Sequence, residues 1–167
     1  MAAVTLTVAK PRNTQFIYDL YCKDQILKGH GLHKAIPAPY WKSVIEGTLP
    51  GFENVFLVTQ GAAFLGHVGF QNLSKDDRHA EIAIAIIPDM QGKGIATGAM
   101  KCVVDLAKKS QDQGGLGLDT LYAWVIEDNT PSARLFQRYG FVHSGTIPMY
   151  FRYGSKRLSR MLYIKSL

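Results

Sequence analysis

Ala80-Glu81-Ile82-Ala83-Ile84-Ala85-Ile86-Ile87-Pro88-Asp89-Met90-Gln91-Gly92-Lys93-Gly94-Ile95-Ala96-Thr97 is the stretch that decides the fold. Its first half alternates with period two. Ile82, Ile84 and Ile86 point to one side, and Glu81, Ala83 and Ala85 to the other, as in a strand. Glu81 therefore shares a face with small alanines, which leaves open space above it. The alternation breaks at Ile86-Ile87, which predicts a bulge there. A glycine turn follows, then helical spacing. Small residues at a helix start leave backbone N–H groups bare at the positive end of the dipole, where phosphate binds. Lys93 adds positive charge at the same place.

Outward from this stretch, Ile95, Ala99, Val103 and Leu106 form one face of a helix, opposite Lys101, Asp105 and Lys108. Glycines in the 110–118 loop end it. Leu121 to Ile126 reads as a strand. Asn129 or Thr130 caps a short helix, with Pro131 in its first turn and Gly140 at its end. Phe141 to Ile147 and Leu158 to Ile164 read as strands, joined by an aromatic and basic turn, Tyr150 to Lys156. On the N-terminal side, Val4 to Ala9 reads as a strand. Ile17, Leu20, Tyr21 and Leu27 recur at helical spacing, and a short helix carries Tyr40, Trp41, Val44 and Ile45. Val55–Thr59 and Phe64–Phe70 flank a Gln60-Gly61 turn and predict a hairpin. The order is β-α-α-β-β-β-α-β-α-β-β, a mixed α/β sheet rather than a repeating βαβ fold.

The chain has 167 residues, 47% of them hydrophobic and 19% charged. That suits one soluble domain, 1–167, with a real core. Apolar runs are too short to span a bilayer, and the N-terminus lacks a signal-peptide pattern, so a cytoplasmic location is expected. Cys22 and Cys102 fall in expected helices and read as buried free thiols. No His/Cys spacing resembles a metal site. Net charge is +6, which favours anionic partners. A phosphate-bearing cofactor accounts for it. The basic residues are scattered rather than gathered in a run, which argues against direct nucleic-acid binding.

The glycine turn fails as a dinucleotide fingerprint, because Thr97 stands where the third glycine belongs. As a Walker loop it also fails, because Gly94 follows Lys93 where Ser or Thr is required. Phosphate binding at a helix start remains.

Gln91-Gly92-Lys93-Gly94-Ile95-Ala96 resembles the central motif of the GNAT acetyltransferase superfamily: Gln or Arg, two residues, Gly, one residue, then Gly or Ala. The segment Asn129-Thr130-Pro131-Ser132, running through to Gly140-Phe141, resembles that family's second helix. The C-terminal part is most similar to the spermidine and ribosomal-protein N-acetyltransferase branch. The resemblance implies a mostly antiparallel sheet splayed to admit CoA, and acetyl-CoA as co-substrate without a metal. Gln91 and the backbone of Gly92, Lys93, Gly94, Ile95, Ala96 and Thr97 would hold the pyrophosphate. Backbone at Ile86 and Ile87 would pair with the pantetheine arm, and an N–H near Ile87 would stabilise the oxyanion. Asn129 and Ser132 would contact CoA from the other side. The partner would be an amine-bearing acceptor. Homodimers are common in this fold, and the sequence leaves oligomeric state open.

Glu81 is the candidate general base, since an amine must lose a proton before attacking a thioester; its other reading is a partner for Arg78 or His79. Family members often protonate the leaving thiolate with a tyrosine on the short helix. This chain has Leu135-Phe136 there, and Phe136 has no proton to give. Tyr139, one turn on, is the alternative donor, beside its reading as a core aromatic next to Phe141; Ser132 or water are the others. Of the five histidines, His67 and His79 flank the proposed active strand. The acceptor site is expected between the His30–Pro39 loop and the Tyr150–Lys156 turn, whose basic character argues against a polyamine. The expected activity is direct acetyl transfer to a primary amine of a small molecule or a protein N-terminus. A non-catalytic CoA-binding module is the rival.

Overall fold

A computed structural model describes residues 3–49 and 52–167. The strands are β1 (Val4–Val8), β2 (Phe52–Gln60), β3 (Ala63–Ser74), β4 (His79–Ile86), β5 (Thr120–Ile126), β6 (Val142–Tyr153) and β7 (Lys156–Ser166). The helices are α1 (Thr14–Tyr21), α2 (Asp24–Gly29), α3 (Ala38–Ile45), α4 (Ile95–Lys108) and α5 (Thr130–Arg138). The strands form one sheet in the order β1-β2-β3-β4-β5-β7-β6. Every neighbouring pair is antiparallel except β4–β5. This is the mixed, mostly antiparallel α/β sheet expected from the sequence. Among the described residues no helix is long and apolar enough to cross a membrane.

Both faces of the sheet are covered. On one, Ile82 and Ile86 pack with Ile95, Ala99 and Val103 of α4 and with Ala133 and Phe136 of α5. On the other, Ala85 and Leu57 pack with Ile17, Leu20 and Tyr21 of α1 and Trp41 of α3. The period-two pattern of β4 thus places Glu81, Ala83 and Ala85 on the α1–α3 side.

Three local expectations change. The segment read as one helix through Leu27 is two, because continuing the Ile17–Leu20–Tyr21 face would bury Asp24 or Gln25, which are exposed. Lys23 turns extended (φ −82°, ψ 126°), and α2 restarts with Asp24 in its favourable first turn. Cys22, at the end of α1, is accordingly exposed rather than buried.

No bulge interrupts Ile86-Ile87. The β3–β4 register runs unbroken from Gln71↔Glu81 to Gly66↔Ile86, and the Ile87 N–H donates to the Leu65 carbonyl at 2.9 Å. The splay arises on the other edge of β4. Its parallel pairing with β5 covers only His79–Glu81 against Thr120–Tyr122, while β5 stays paired with β7 along its whole length. The strands part just beyond Glu81.

The aromatic turn is the third change. Tyr150 to Tyr153 belong to β6, and Tyr153 pairs with Lys156. Only Gly154 (φ 60°) and Ser155 remain as the hairpin loop.

Candidate active site

A cleft of about 960 Å³ opens where β4 and β5 separate. One wall is the glycine turn with the start of α4, together with α5; the other is α2 and the loop after it. Glu81 sits at the point of divergence and Arg160, from β7, faces it.

The cofactor-side expectations meet in this cleft. Gly92, Gly94, Ile95, Ala96 and Thr97 line it, as do Asn129 and Ser132 at the start of α5. Gly92 (φ 73°) and Gly94 (φ 78°) are both left-handed, and a Cβ on either would meet nothing within 4 Å. The backbone conformation requires glycine, and the space beside it is open. Gly94 is the N-cap of α4, and no side chain caps that end. A fourteen-residue helix thus presents its first N–H groups to the cleft.

Other members of the set are placed differently. Gln91 lines the cleft, but its Nε2 donates to the Ile86 carbonyl at 3.0 Å and its Oε1 accepts from Gln25 at 2.8 Å. It ties the turn to the end of β4 and to α2. Lys93 is exposed outside the lining, with Nζ 3.7 Å from Met90 Sδ. Asn129 caps α5, accepting from the Ser132 N–H at 3.3 Å. Ile87 does not line the cleft, and its N–H is committed to Leu65. In an antiparallel ladder alternate residues point their N–H groups to opposite edges. Those of Ile84 and Ile86 therefore face the gap toward β5, and these are the N–H groups near Ile87 that open on the cleft. Tyr139 also lies outside the lining; its hydroxyl donates to the Thr97 carbonyl, bridging α5 to α4.

Glu81 is 9% exposed. Asn72 Nδ2 donates to its Oε2 at 3.0 Å, and Arg160 Nη2 lies 3.9 Å from Oε1. Burial pushes the carboxyl above its ordinary value, while Arg160 and Asn72 oppose that rise. Asn72 reaches Glu81 from a bulge between Gln71 and Ser74, where its own backbone is left-handed (φ 49°). Neither expected partner, Arg78 or His79, holds this carboxylate: Arg78 pairs with Asp119 at 3.0 Å, and His79 packs on Tyr122.

Arg160 was not legible as a site residue. Its guanidinium lies 4.8 Å from the Trp124 ring and 5.0 Å from the Tyr150 ring, and Nη1 donates to Tyr150 Oη at 2.9 Å. His30 also lines the cleft; burial lowers it to about 4, Arg160 adds to that, and its bond to the Ile84 backbone opposes it. His67 lies behind, 1% exposed, its Nδ1 3.4 Å from Tyr21 Oη, and burial lowers it to about 3. Both rings are neutral at pH 7.

The loop after α2 lines the cleft through His30, Leu32 and Ile36, whereas no residue from Tyr150 to Lys156 does. The hairpin end instead packs on the α2 region: the Phe151 and His33 rings are 4.9 Å apart, and Lys28 Nζ lies 5.1 Å from the Tyr153 ring.

Comparison with known proteins fits this geometry. Residues 25–142 match the family model described as acetyltransferase (GNAT) domain. The chain belongs to that family. The uncharacterized N-acetyltransferase YoaA of Bacillus subtilis (strain 168) is 35% identical over 86 residues, covering 52% of this chain and 46% of the relative. The chain spans about half the length of the curated relatives it matches. Among solved structures, the spermidine N-acetyltransferase from Vibrio cholerae in complex with CoA and spermine superposes with a TM-score of 0.85 at 19% identity, covering 98% of this chain and 95% of that one. YncA from Salmonella typhimurium, with its cofactor acetyl-CoA, gives 0.79 at 18% identity, covering 99% and 94%. At such identities the likeness is one of fold.

Proposed function

We propose that this chain is an acetyl-CoA-dependent N-acetyltransferase that transfers acetyl directly to a primary amine of a small molecule or a protein N-terminus. The observation that carries this reading is a buried carboxylate, Glu81, at the point where β4 and β5 part, in the same cleft as a bare helix start. The glycine turn and the first N–H groups of α4 bind the pyrophosphate of CoA. The solved neighbours with CoA and acetyl-CoA support that assignment. The edge of β4 beyond Glu81 offers backbone to the pantetheine arm, and the N–H groups of Ile84 and Ile86 receive the oxyanion.

Glu81 takes the proton of the amine, directly or through a water. The free amine attacks the thioester carbon, the carbon–sulfur bond breaks, and the thiolate leaves. The nitrogen's second proton, lost as the tetrahedral intermediate collapses, passes through Ser132 or water to the thiolate, and the proton on Glu81 returns to solvent. Tyr139 has no part in this step, because its hydroxyl is held by Thr97. A cysteine-linked route has no support: Cys102 Sγ lies against the Val4 carbonyl, away from the cleft. Phe136 is 2% exposed, meeting Phe141 edge-on and lying near-parallel to Tyr163. It is the observation behind the rival reading, a CoA-binding module without catalysis.

The test is the pH dependence of Glu81→Gln. A base whose carboxyl is raised loses activity as pH falls through that raised value. The natural chain therefore shows an acidic limb in kcat/KM. The variant loses about 10²–10⁴-fold in rate at neutral pH and lacks that limb, with CoA affinity retained. An unchanged profile removes Glu81 from the mechanism.

A further inference from the structure

We propose that the acceptor is an α-amino acid, its carboxylate held by Arg160 while its amine faces Glu81; this rests on the acetyltransferase reading above. Three observations lead there. First, Arg160 and Glu81 line the same cleft with 3.9 Å between Nη2 and Oε1. That is too long for a hydrogen bond. A guanidinium carries five N–H donors, and among the described residues the guanidinium of Arg160 hydrogen-bonds to Tyr150 Oη alone. Its remaining donors, on a side chain 25% exposed, open on the cleft.

Second, Arg160 is fixed in orientation. The Trp124 and Tyr150 rings lie against its guanidinium at 4.8 and 5.0 Å, and Nη1 donates to the Tyr150 hydroxyl at 2.9 Å. A planar fork held this way presents parallel donors to a carboxylate, which is the geometry Arg recognises best. Neutralising Glu81 alone does not need such bracing.

Third, the two charges are adjacent and opposite. In an α-amino acid the amino nitrogen and the carboxylate are attached to one carbon. A side chain with its acid beside Glu81 would be repelled, and a polyamine would bring cations against Arg160. With the amine at Glu81 and the carboxylate at Arg160, both neighbours are complementary. The side chain then extends along Ile26, Leu32, Ile36 and Trp41, which line the cleft on the α2–α3 side. That wall fits an apolar side chain.

The experiment compares L-leucine with L-leucinamide and 3-methylbutylamine, following thiol release and the acetylated product. The amide has the less basic amine, in the range of a peptide N-terminus, so its free-base fraction favours it at neutral pH. A preference for the acid therefore reports the carboxylate. The natural chain should prefer leucine to leucinamide by about 10²-fold or more in kcat/KM. Arg160→Gln should collapse that ratio toward one, through KM for leucine, and Arg160→Lys should restore part of it. Because Glu81 serves both substrates, its altered environment in these variants cancels in the ratio. A ratio near one in the natural chain, or a ratio unmoved by Arg160→Gln, overturns the assignment. So does turnover of spermidine with none of leucine, an outcome that leaves the acetyltransferase reading standing. Absence of thiol release with every amine, despite CoA binding, overturns both.

Discussion

The two halves of the cleft are built by different means. The cofactor half is mostly backbone: two left-handed glycines and the start of one helix, contiguous in the chain. The half proposed to take the acceptor is side chains gathered from distant places: Glu81 from β4, Asn72 from a bulge in β3, Arg160 from β7 and His30 from the end of α2. A backbone device is written locally, because glycine is nearly obligatory at positive φ and a helix start must follow it. A side-chain constellation is written only in the strand order, which brings β7 beside β5.

This contrast can be broken at either half. Beyond Glu81→Gln, the largest effect is expected at Gly94→Val. The left-handed position costs a β-branched residue ~1–2 kcal/mol, and the new methyls enter the open space beside the turn. Calorimetric titration should show the Kd for CoA raised by about tenfold or more. An unchanged Kd would mean that phosphate does not rest on this turn.

Asn72→Gly addresses the other half alone. Glycine accepts φ 49° without strain, so the change removes the donor to Glu81, together with the Asn72 hydrogen bond to the Tyr122 side chain. That hydrogen bond holds the carboxyl down against burial. Its loss raises the value further, and the acidic limb of the rate profile should move to higher pH, with CoA affinity unaltered. A limb that stays in place would dissociate Asn72 from the base.

The smallest effect belongs to Tyr139→Phe. The hydroxyl bridges α5 to the Thr97 carbonyl, and losing it should cost about 1 kcal/mol in denaturant unfolding, with kcat/KM close to that of the natural chain. A rate collapse without loss of stability would return Tyr139 to the chemistry.

The same contrast explains what the sequence made legible. Strand alternation placed Glu81 on the face it shares with Ala83 and Ala85, and the glycine spacing located the helix start, because both are short-range patterns. The element order was right except where Asp24 and Gln25 interrupt the apolar face of α1. The origin of the splay was not legible: Ile86-Ile87 reads as a broken alternation, yet Ile87 stays in register with Leu65 and the gap comes from β5 following β7. Arg160 sits in an ordinary alternating strand, and nothing in its neighbours marks it. Only its register opposite Ile126 and Ile147, beside Trp124, brings it to Glu81.

The most direct measurement is thiol release from acetyl-CoA across a panel of primary amines, with the acetylated product quantified alongside. Release should be matched one-to-one by N-acetyl product for at least one acceptor. Tight CoA binding with no release for any amine would contradict it and leave a binding module, with Phe136 in place of a proton donor.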